Sequence, residues 1–170
     1  LNVKLNENEE MGLNEFLNKT TVDVFHVSHR GKNIYKWHSQ YCSSSTPHII
    51  FSVSKSLTAL LIGCAINDGL VTEETLVPEI IPEAKGSAFE DASVRNLLDM
   101  SVSSNFIEDY EATSGIFLDY RQSTGWNPQD IDDTSHLKSF LLSLKKNTHS
   151  HGEKFEYHST NTDMLGIIIE

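Results

Sequence analysis

Ser52-Val53-Ser54-Lys55 sets a hydroxyl and an amine three residues apart. On a helix that spacing puts both side chains on one face, within reach of each other. An amine at the positive end of a helix, partly withdrawn from water, gives up its proton more readily. It can then take the proton of a serine that attacks a carbonyl. The same spacing recurs at Ser135 with Lys138 and at Ser143 with Lys146, so only context separates the three. The two later pairs lie in an amphipathic run, where a lysine is a solvated side chain. Ser52 opens an apolar run, Leu57 to Ile66. A plain helix cap at Ser52 would go with Glu or Gln at position 55; a cation there opposes the helix dipole. Taken alone, the spacing leaves a catalytic pair and an ordinary helix start both open.

The elements that must position this pair follow from periodicity. Met11, Leu13, Phe16 and Leu17 predict a short amphipathic helix over residues 8–19. Val22 to Val27 and Ile34 to Trp37 flank the turn residues His29-Arg30-Gly31-Lys32-Asn33, which predicts a β-hairpin. A serine-rich loop through Pro47 leads to a helix from about Ser52 to Asp68, apolar nearly all round and expected to be buried on most faces, ending at Gly69. Residues 71–90 read as a loop broken by Pro78, Pro82 and Gly86, followed by a helix over 92–100 with Val94, Leu97 and Leu98 on one side. Residues 101–130 read as irregular. Thr134 is expected to cap a helix lined by Leu137, Phe140, Leu141 and Leu144, with Lys145 and Lys146 favourable at its end. A final apolar helix starts near Thr160-Asn161 and carries no stop signal at Glu170, the pattern expected of a truncated chain. Two strands make a marginal sheet, so the missing C-terminal portion or a second chain is expected to complete it.

Composition narrows the function. With 38% apolar and 22% charged residues in 170, the chain has the make-up of a globular protein with its own core. No run of eighteen apolar residues is present, so no membrane span is expected. Acidic residues outnumber basic ones 24 to 13, a net charge of −11 that repels phosphate backbones and argues against nucleic acid. Cys42 and Cys64 form no close motif; both read as free thiols, Cys64 as a small core residue. The compartment stays open between cytoplasm and periplasm. His149-Ser150-His151 has no neighbouring ligand pattern of zinc spacing, so no metal site and no cofactor are expected. Acidic pairs such as Glu73-Glu74 and Asp132-Asp133 read as solvated charges.

Phe51-Ser-Val-Ser-Lys-Ser56, opening an apolar helix that ends Asn67-Asp68-Gly69-Leu70, resembles the serine β-lactamase-like and penicillin-binding hydrolases, for which Ser-x-x-Lys is the stated signature. Three further stretches fit in order: Val77-Pro78 to Gly86-Ser87, Ser93-Val-Arg-Asn-Leu-Leu-Asp-Met100, and Phe155-Glu-Tyr-His-Ser-Thr-Asn-Thr-Asp-Met-Leu-Gly166. The resemblance runs from about residue 11 to the end. Serine at the third position of Tyr157-His158-Ser159 is similar to the class C-like esterases and the 6-aminohexanoate-dimer (nylon-oligomer) hydrolases.

The resemblance implies an α+β fold, an antiparallel sheet flanked by helices plus an all-α lobe, of which this chain is the N-terminal part. Residues 8–70 would carry the helix, hairpin and nucleophile helix of the α/β lobe, 71–150 the all-α lobe, and 151–170 the tyrosine motif. It implies a serine hydrolase with Ser52 as nucleophile, Lys55 as base and Tyr157 as proton shuttle, acting on a small ester or amide. Tyr110 and Ser159 would contact substrate, and Trp126 could line the same cleft. On residue type alone, Tyr157 reads as a half-buried aromatic before a helix, and Tyr110 and Trp126 as packing residues. The family's third motif, a Lys-Thr-Gly-like or His-x-Gly-like strand that donates the second oxyanion N–H, is absent from these residues. Losing one such donor costs roughly a hundredfold or more, so the fragment by itself is expected to be a poor catalyst. The competing reading is a non-catalytic binding or regulatory relative of the same fold.

Overall fold

The computed structural model describes residues 1–128 and 136–170. The expected cap at Thr134, the Ser135 of the second Ser-x-x-Lys pattern and the Asp132-Asp133 pair lie outside the described residues. Two compact units divide the chain, Leu1–Ile49 and Ile50–Glu170.

The first unit holds two hairpins and a helix. Strands β1 (Asn2–Asn6) and β2 (Glu9–Gly12) pair antiparallel, Val3 opposite Met11. Helix α1 (Leu13–Lys19) follows directly and buries Leu17. The helix expected over 8–19 is therefore shorter by its first five residues: Asn8 is in a turn and Glu9–Gly12 are strand. Met11 and Leu13 fit a helical stripe, but an apolar pair two residues apart fits a strand equally well, and β1 supplies the pairing partner. Strands β3 (Val24–His29) and β4 (Lys32–His38) form the expected hairpin, with Arg30 and Gly31 both at positive φ in its two-residue turn. The two hairpins form separate two-stranded sheets. Tyr35 on β4 donates its hydroxyl proton to Asn14 of α1 at 2.5 Å.

The second unit has a helical core. Helix α2 (Ser54–Asn67) ends at Gly69, whose φ of 72° lets Leu70 N–H reach back to the Ala65 carbonyl at 3.0 Å. Residues 71–90, expected as a loop, contain helix α3 (Val77–Ile80) and a 3-10 turn over Pro82–Ala84. Each carries a proline in its first turn, Pro78 second in α3 and Pro82 first in the 3-10 turn, where its fixed φ is preorganised for a helix. The segment is core rather than surface: Val77, Ile81, Ala84, Ala88 and Phe89 are all buried. Helix α4 (Val94–Leu98) is capped by Ser93, which accepts from the Asn96 N–H while the Asn96 side chain returns to the Ser93 N–H. Residues 101–128 are less irregular than expected, because Ile116–Ser123 forms helix α5 between Gly115 and Gly125. Helix α6 (Leu137–Ser143) buries Phe140 and Leu141. Lys145 and Lys146 lie past its end and serve other partners: Lys145 donates to the Gly86 carbonyl at 2.8 Å, and Lys146 pairs with Asp91 at 2.5 Å. Helix α7 (Ser159–Ile169) packs on α2, α4 and α6.

One expectation about α2 is corrected. Of its apolar residues only Ile62 is fully buried; Leu57, Leu60, Leu61 and Cys64 are exposed. The helix is apolar all round, so its sequence marks no particular face for burial, and α7 covers one side. Cys64 is thus a surface thiol, not a core residue. Cys42 and Cys64 are both free, as expected.

Candidate active site

Ser52 sits in a 3-10 turn, Phe51–Val53, that runs straight into α2. Phe51 holds a φ of 41°, a left-handed conformation that costs a non-glycine residue about 1–3 kcal/mol. Two contacts hold it there. Ser54 donates its hydroxyl proton to the Phe51 carbonyl at 2.6 Å. The Phe51 ring stacks on Trp126 with centroids 6.0 Å apart and planes 19° from parallel. The turn leaves Ser52 exposed at the mouth of the helix. Ser52 is not the cap of α2: that position is Val53, and no side chain caps it.

The Ser52 hydroxyl is instead engaged by Lys55, whose Nζ donates to Oγ at 3.2 Å. The same Nζ lies over the Tyr157 ring, 5.4 Å from its centroid, a cation–π distance. Two groups from stretches about a hundred residues apart, the Ser52 hydroxyl and the Tyr157 ring, therefore converge on one amine. Ser143 shows the contrast: its hydroxyl donates to its own helix at the Phe140 carbonyl, 2.7 Å, while Lys146 is taken by Asp91. Lys138 pairs with Glu83.

Tyr157 is anchored from both sides. Before it, the Glu156 N–H donates to the Met100 carbonyl at 2.8 Å. After it, Ser159 opens α7, where Glu108 accepts from the Ser159 N–H at 2.5 Å and from the Ser159 hydroxyl at 2.8 Å. A carboxylate at a helix N-terminus meets both the free N–H groups and the positive dipole end. Glu108 also accepts from the Tyr110 hydroxyl. That carboxylate, with burial as a smaller cause, pushes the Tyr110 phenol up to about 12. Tyr110 is largely exposed, its ring edge-on to Phe117. Ser159, by contrast, is buried, and its hydroxyl is turned to Glu108.

Behind Lys55 lies Asp163, which burial pushes above the ordinary carboxyl range; the Tyr120 hydroxyl at 2.7 Å and the charge of Lys55 pull the other way. Burial, reinforced by the neighbouring Asp163, holds the Tyr120 phenol well above its usual range. A groove of about 270 Å³ between α2 and α7 is lined by Lys55, Thr58, Thr162 and Asp163 but by neither Ser52 nor Tyr157. His158 points away from the site: it is buried edge-on against Phe106 with Nδ1 3.5 Å from Ser104 Oγ, and burial lowers its proton affinity. His151 accepts from the Ser103 N–H at 2.9 Å and faces Asp91 at 2.9 Å, a structural tie between loops.

Sequence reasoning passed over Glu108, Asp163 and the strained Phe51. Glu108 is 51 residues from its partner, and no local pattern announces such a contact.

Residues 17–170 match the Beta-lactamase family model. The chain belongs to the β-lactamase family. A curated relative, the 6-aminohexanoate-dimer hydrolase of Paenarthrobacter ureafaciens, is 31% identical over 158 residues, covering 93% of this chain and 40% of its own length. A solved structure from Bacillus anthracis, provisionally assigned as a 6-aminohexanoate-dimer hydrolase, superposes with a TM-score of 0.84 at 24% identity, covering 99% of this chain and 45% of that one. A class C β-lactamase in complex with cefoxitin superposes at 0.63 with 22% identity, over 92% of this chain and 41% of its own. The β-lactamase/transpeptidase-like fold expected from the motifs is thus shown. The chain spans less than half the length of the relatives it matches. Among the described residues no helix is long and apolar enough to cross a membrane.

Proposed function

We propose that the protein is a serine hydrolase that cleaves a small linear amide or ester through an acyl-enzyme on Ser52. The observation that carries the reading is the Lys55 amine, 3.2 Å from the Ser52 hydroxyl and 5.4 Å from the Tyr157 ring centre. In its uncharged form that amine takes the serine proton as Oγ bonds to the substrate carbonyl carbon. The proton passes by way of Tyr157 to the leaving nitrogen or oxygen as its bond to that carbon breaks. Water, deprotonated by the same pair, then hydrolyses the ester on Ser52, and the serine recovers its proton. The Ser52 backbone N–H supplies one oxyanion donor; the second is assigned to a strand of the complete domain. Tyr110 and Ser159 are assigned to the substrate side of the site, Ser159 also as an anchor of Tyr157. The lobes are assigned as residues 8–70 for the α/β part and 71–150 for the all-α part, with the tyrosine motif and the start of the next helix at 151–170.

A linear amide is favoured over a β-lactam by the relative that is 31% identical, itself a 6-aminohexanoate-dimer hydrolase. The chain covers 40% of that relative, so the activity is proposed for the protein with its domain complete. The test is a fluorophosphonate probe followed by turnover of the 6-aminohexanoate dimer. One label on Ser52, lost in Ser52→Ala, is the expected result. A folded, full-length protein that neither labels nor turns over amide or ester substrates would make it a binding relative instead.

A further inference from the structure

Away from the site, the first unit gathers three donor atoms of different chemistry. Asp23 precedes β3, and Cys42 and His48 lie in the loop after β4. One His48 nitrogen, Nε2, stands 3.0 Å from the Asp23 Oδ2 and 3.6 Å from the Cys42 Sγ. All three donor atoms fall within 4.8 Å of one another. We propose that Asp23, Cys42 and His48 form a binding site for a tetrahedral d-block dication, Zn²⁺ above all, with water in the fourth position.

Two of the three separations lie close to those of tetrahedral zinc, and the third, oxygen to sulfur, is within 4.8 Å. Bonds of about 2.0 Å to nitrogen or oxygen and about 2.3 Å to sulfur set ligand atoms roughly 3.3–3.6 Å apart. The nitrogen–sulfur separation already matches, and the nitrogen–oxygen separation needs to open by a few tenths of an ångström. The second shell is in place too. His48 Nδ1 faces the Thr46 carbonyl at 3.3 Å. A ring N–H donated there leaves the Nε2 lone pair aimed at the cluster, the usual arrangement of a metal-bound histidine. Ser39 holds the other Asp23 oxygen at 3.4 Å, and its N–H meets the Asp23 carbonyl at 2.9 Å. The Cys42 N–H is held by the Ser39 carbonyl at 3.2 Å, and the Thr46 N–H by that of Ser43 at 3.2 Å. The ligands thus stand on a loop already folded by its own hydrogen bonds.

Nitrogen, thiolate sulfur and carboxylate oxygen together suit zinc better than calcium or magnesium, which take oxygen shells. On binding, the Cys42 thiol proton leaves to solvent and any proton on His48 Nε2 leaves with it. Without metal the same groups make an exposed Asp23–His48 contact, an ion pair when His48 is protonated, with a thiol beside it. The expectation of no metal site rested on close ligand spacing in sequence, and Asp23 lies 25 residues from His48. The hairpin brings them together.

Co²⁺ serves as the probe, titrated into the reduced, metal-free chain. One equivalent is expected to raise a thiolate-to-cobalt charge-transfer band together with intense tetrahedral d–d bands, both removed by Zn²⁺ or by a chelator. Cys42→Ser abolishes the charge-transfer band. His48→Ala and Asp23→Asn weaken Zn²⁺ binding by more than the ten- to hundredfold that loss of an outer-shell partner costs. Cys64→Ser, a control at the exposed thiol, leaves the titration unchanged, and circular dichroism checks that each variant is folded. A charge-transfer band that survives in Cys42→Ser would overturn the proposal. So would Zn²⁺ affinity that is equal in wild type, Cys42→Ser and His48→Ala.

Discussion

Helices α2 and α7 pack against each other with their residue types reversed. The apolar helix α2 leaves Leu57, Leu60 and Leu61 more than half exposed, whereas the first turn of α7 buries Ser159, Thr160, Asn161 and Thr162. Burial follows the neighbours, not the hydropathy of the residue. At Ser159 the N–H and the hydroxyl meet Glu108, which offsets the desolvation cost of that residue, whereas the buried Thr160 hydroxyl and Asn161 amide nitrogen have no hydrogen-bond partner among the described residues. The apolar helix carries the proposed catalytic pair at its N-terminal end, Ser52 exposed and Lys55 half-buried. The side proposed as reactive is thus exposed and strained at Phe51, and the opposite side is buried and tied to Glu108 through Ser159.

If that division holds, substitutions on the open side act on rate and those on the buried side on stability. The largest effect belongs to Lys55→Met, expected to lower kcat/KM of the complete protein by roughly 10⁴-fold or more. Groups acting as one unit are not additive, so Ser52→Ala with Lys55→Met should be little worse than either alone; independent, additive losses would break the pairing. Next comes Ile62→Ala, at the covered face of α2, expected to cost about 2–5 kcal/mol in a denaturant titration.

Glu108→Ala tests the buried side. It strands the Ser159 N–H, so about 1–3 kcal/mol of stability is expected to go, with a fall in kcat as Tyr157 loses its anchor. A smaller signal sharpens the same point. Tyr110 should titrate near pH 12, two units above its ordinary 10, by ultraviolet difference spectroscopy, and Glu108→Gln should bring it down. A raised phenol favours the neutral form in the folded state. Any stability from this hydrogen bond is therefore fully present below about pH 10 and lost as the pH rises through about 12. The smallest change is Leu60→Ala, two residues from Ile62 on the bare face, expected within about 0.5 kcal/mol in this chain. A cost equal to that of Ile62→Ala would remove the contrast between the two faces.

Much of the site was readable along the chain. The Ser52–Lys55 pairing follows from helical spacing, and the tyrosine stretch from its motif. The β3–β4 hairpin followed from alternation around Arg30-Gly31. Strands β1 and β2 went unseen because only Val3, Leu5 and Met11 are apolar between Asn2 and Gly12, a pattern too sparse to mark a half-buried strand, and pairing between the strands creates them. Helix α5 went unseen because glycines on both sides and aromatics within read as irregular chain.

The residue order alone determined which groups could do chemistry and that one turn of helix would join a serine to a lysine, since such contacts span a few residues and obey fixed geometry. Only the tertiary structure decided which face of α2 is covered, that Glu108 anchors the turn after Tyr157, and that Asp23, Cys42 and His48 share one point in space. The Asp23–His48 and Glu108–Ser159 contacts join residues 25 and 51 positions apart, and the covered face depends on which neighbour packs where; short-range periodicity carries no record of them.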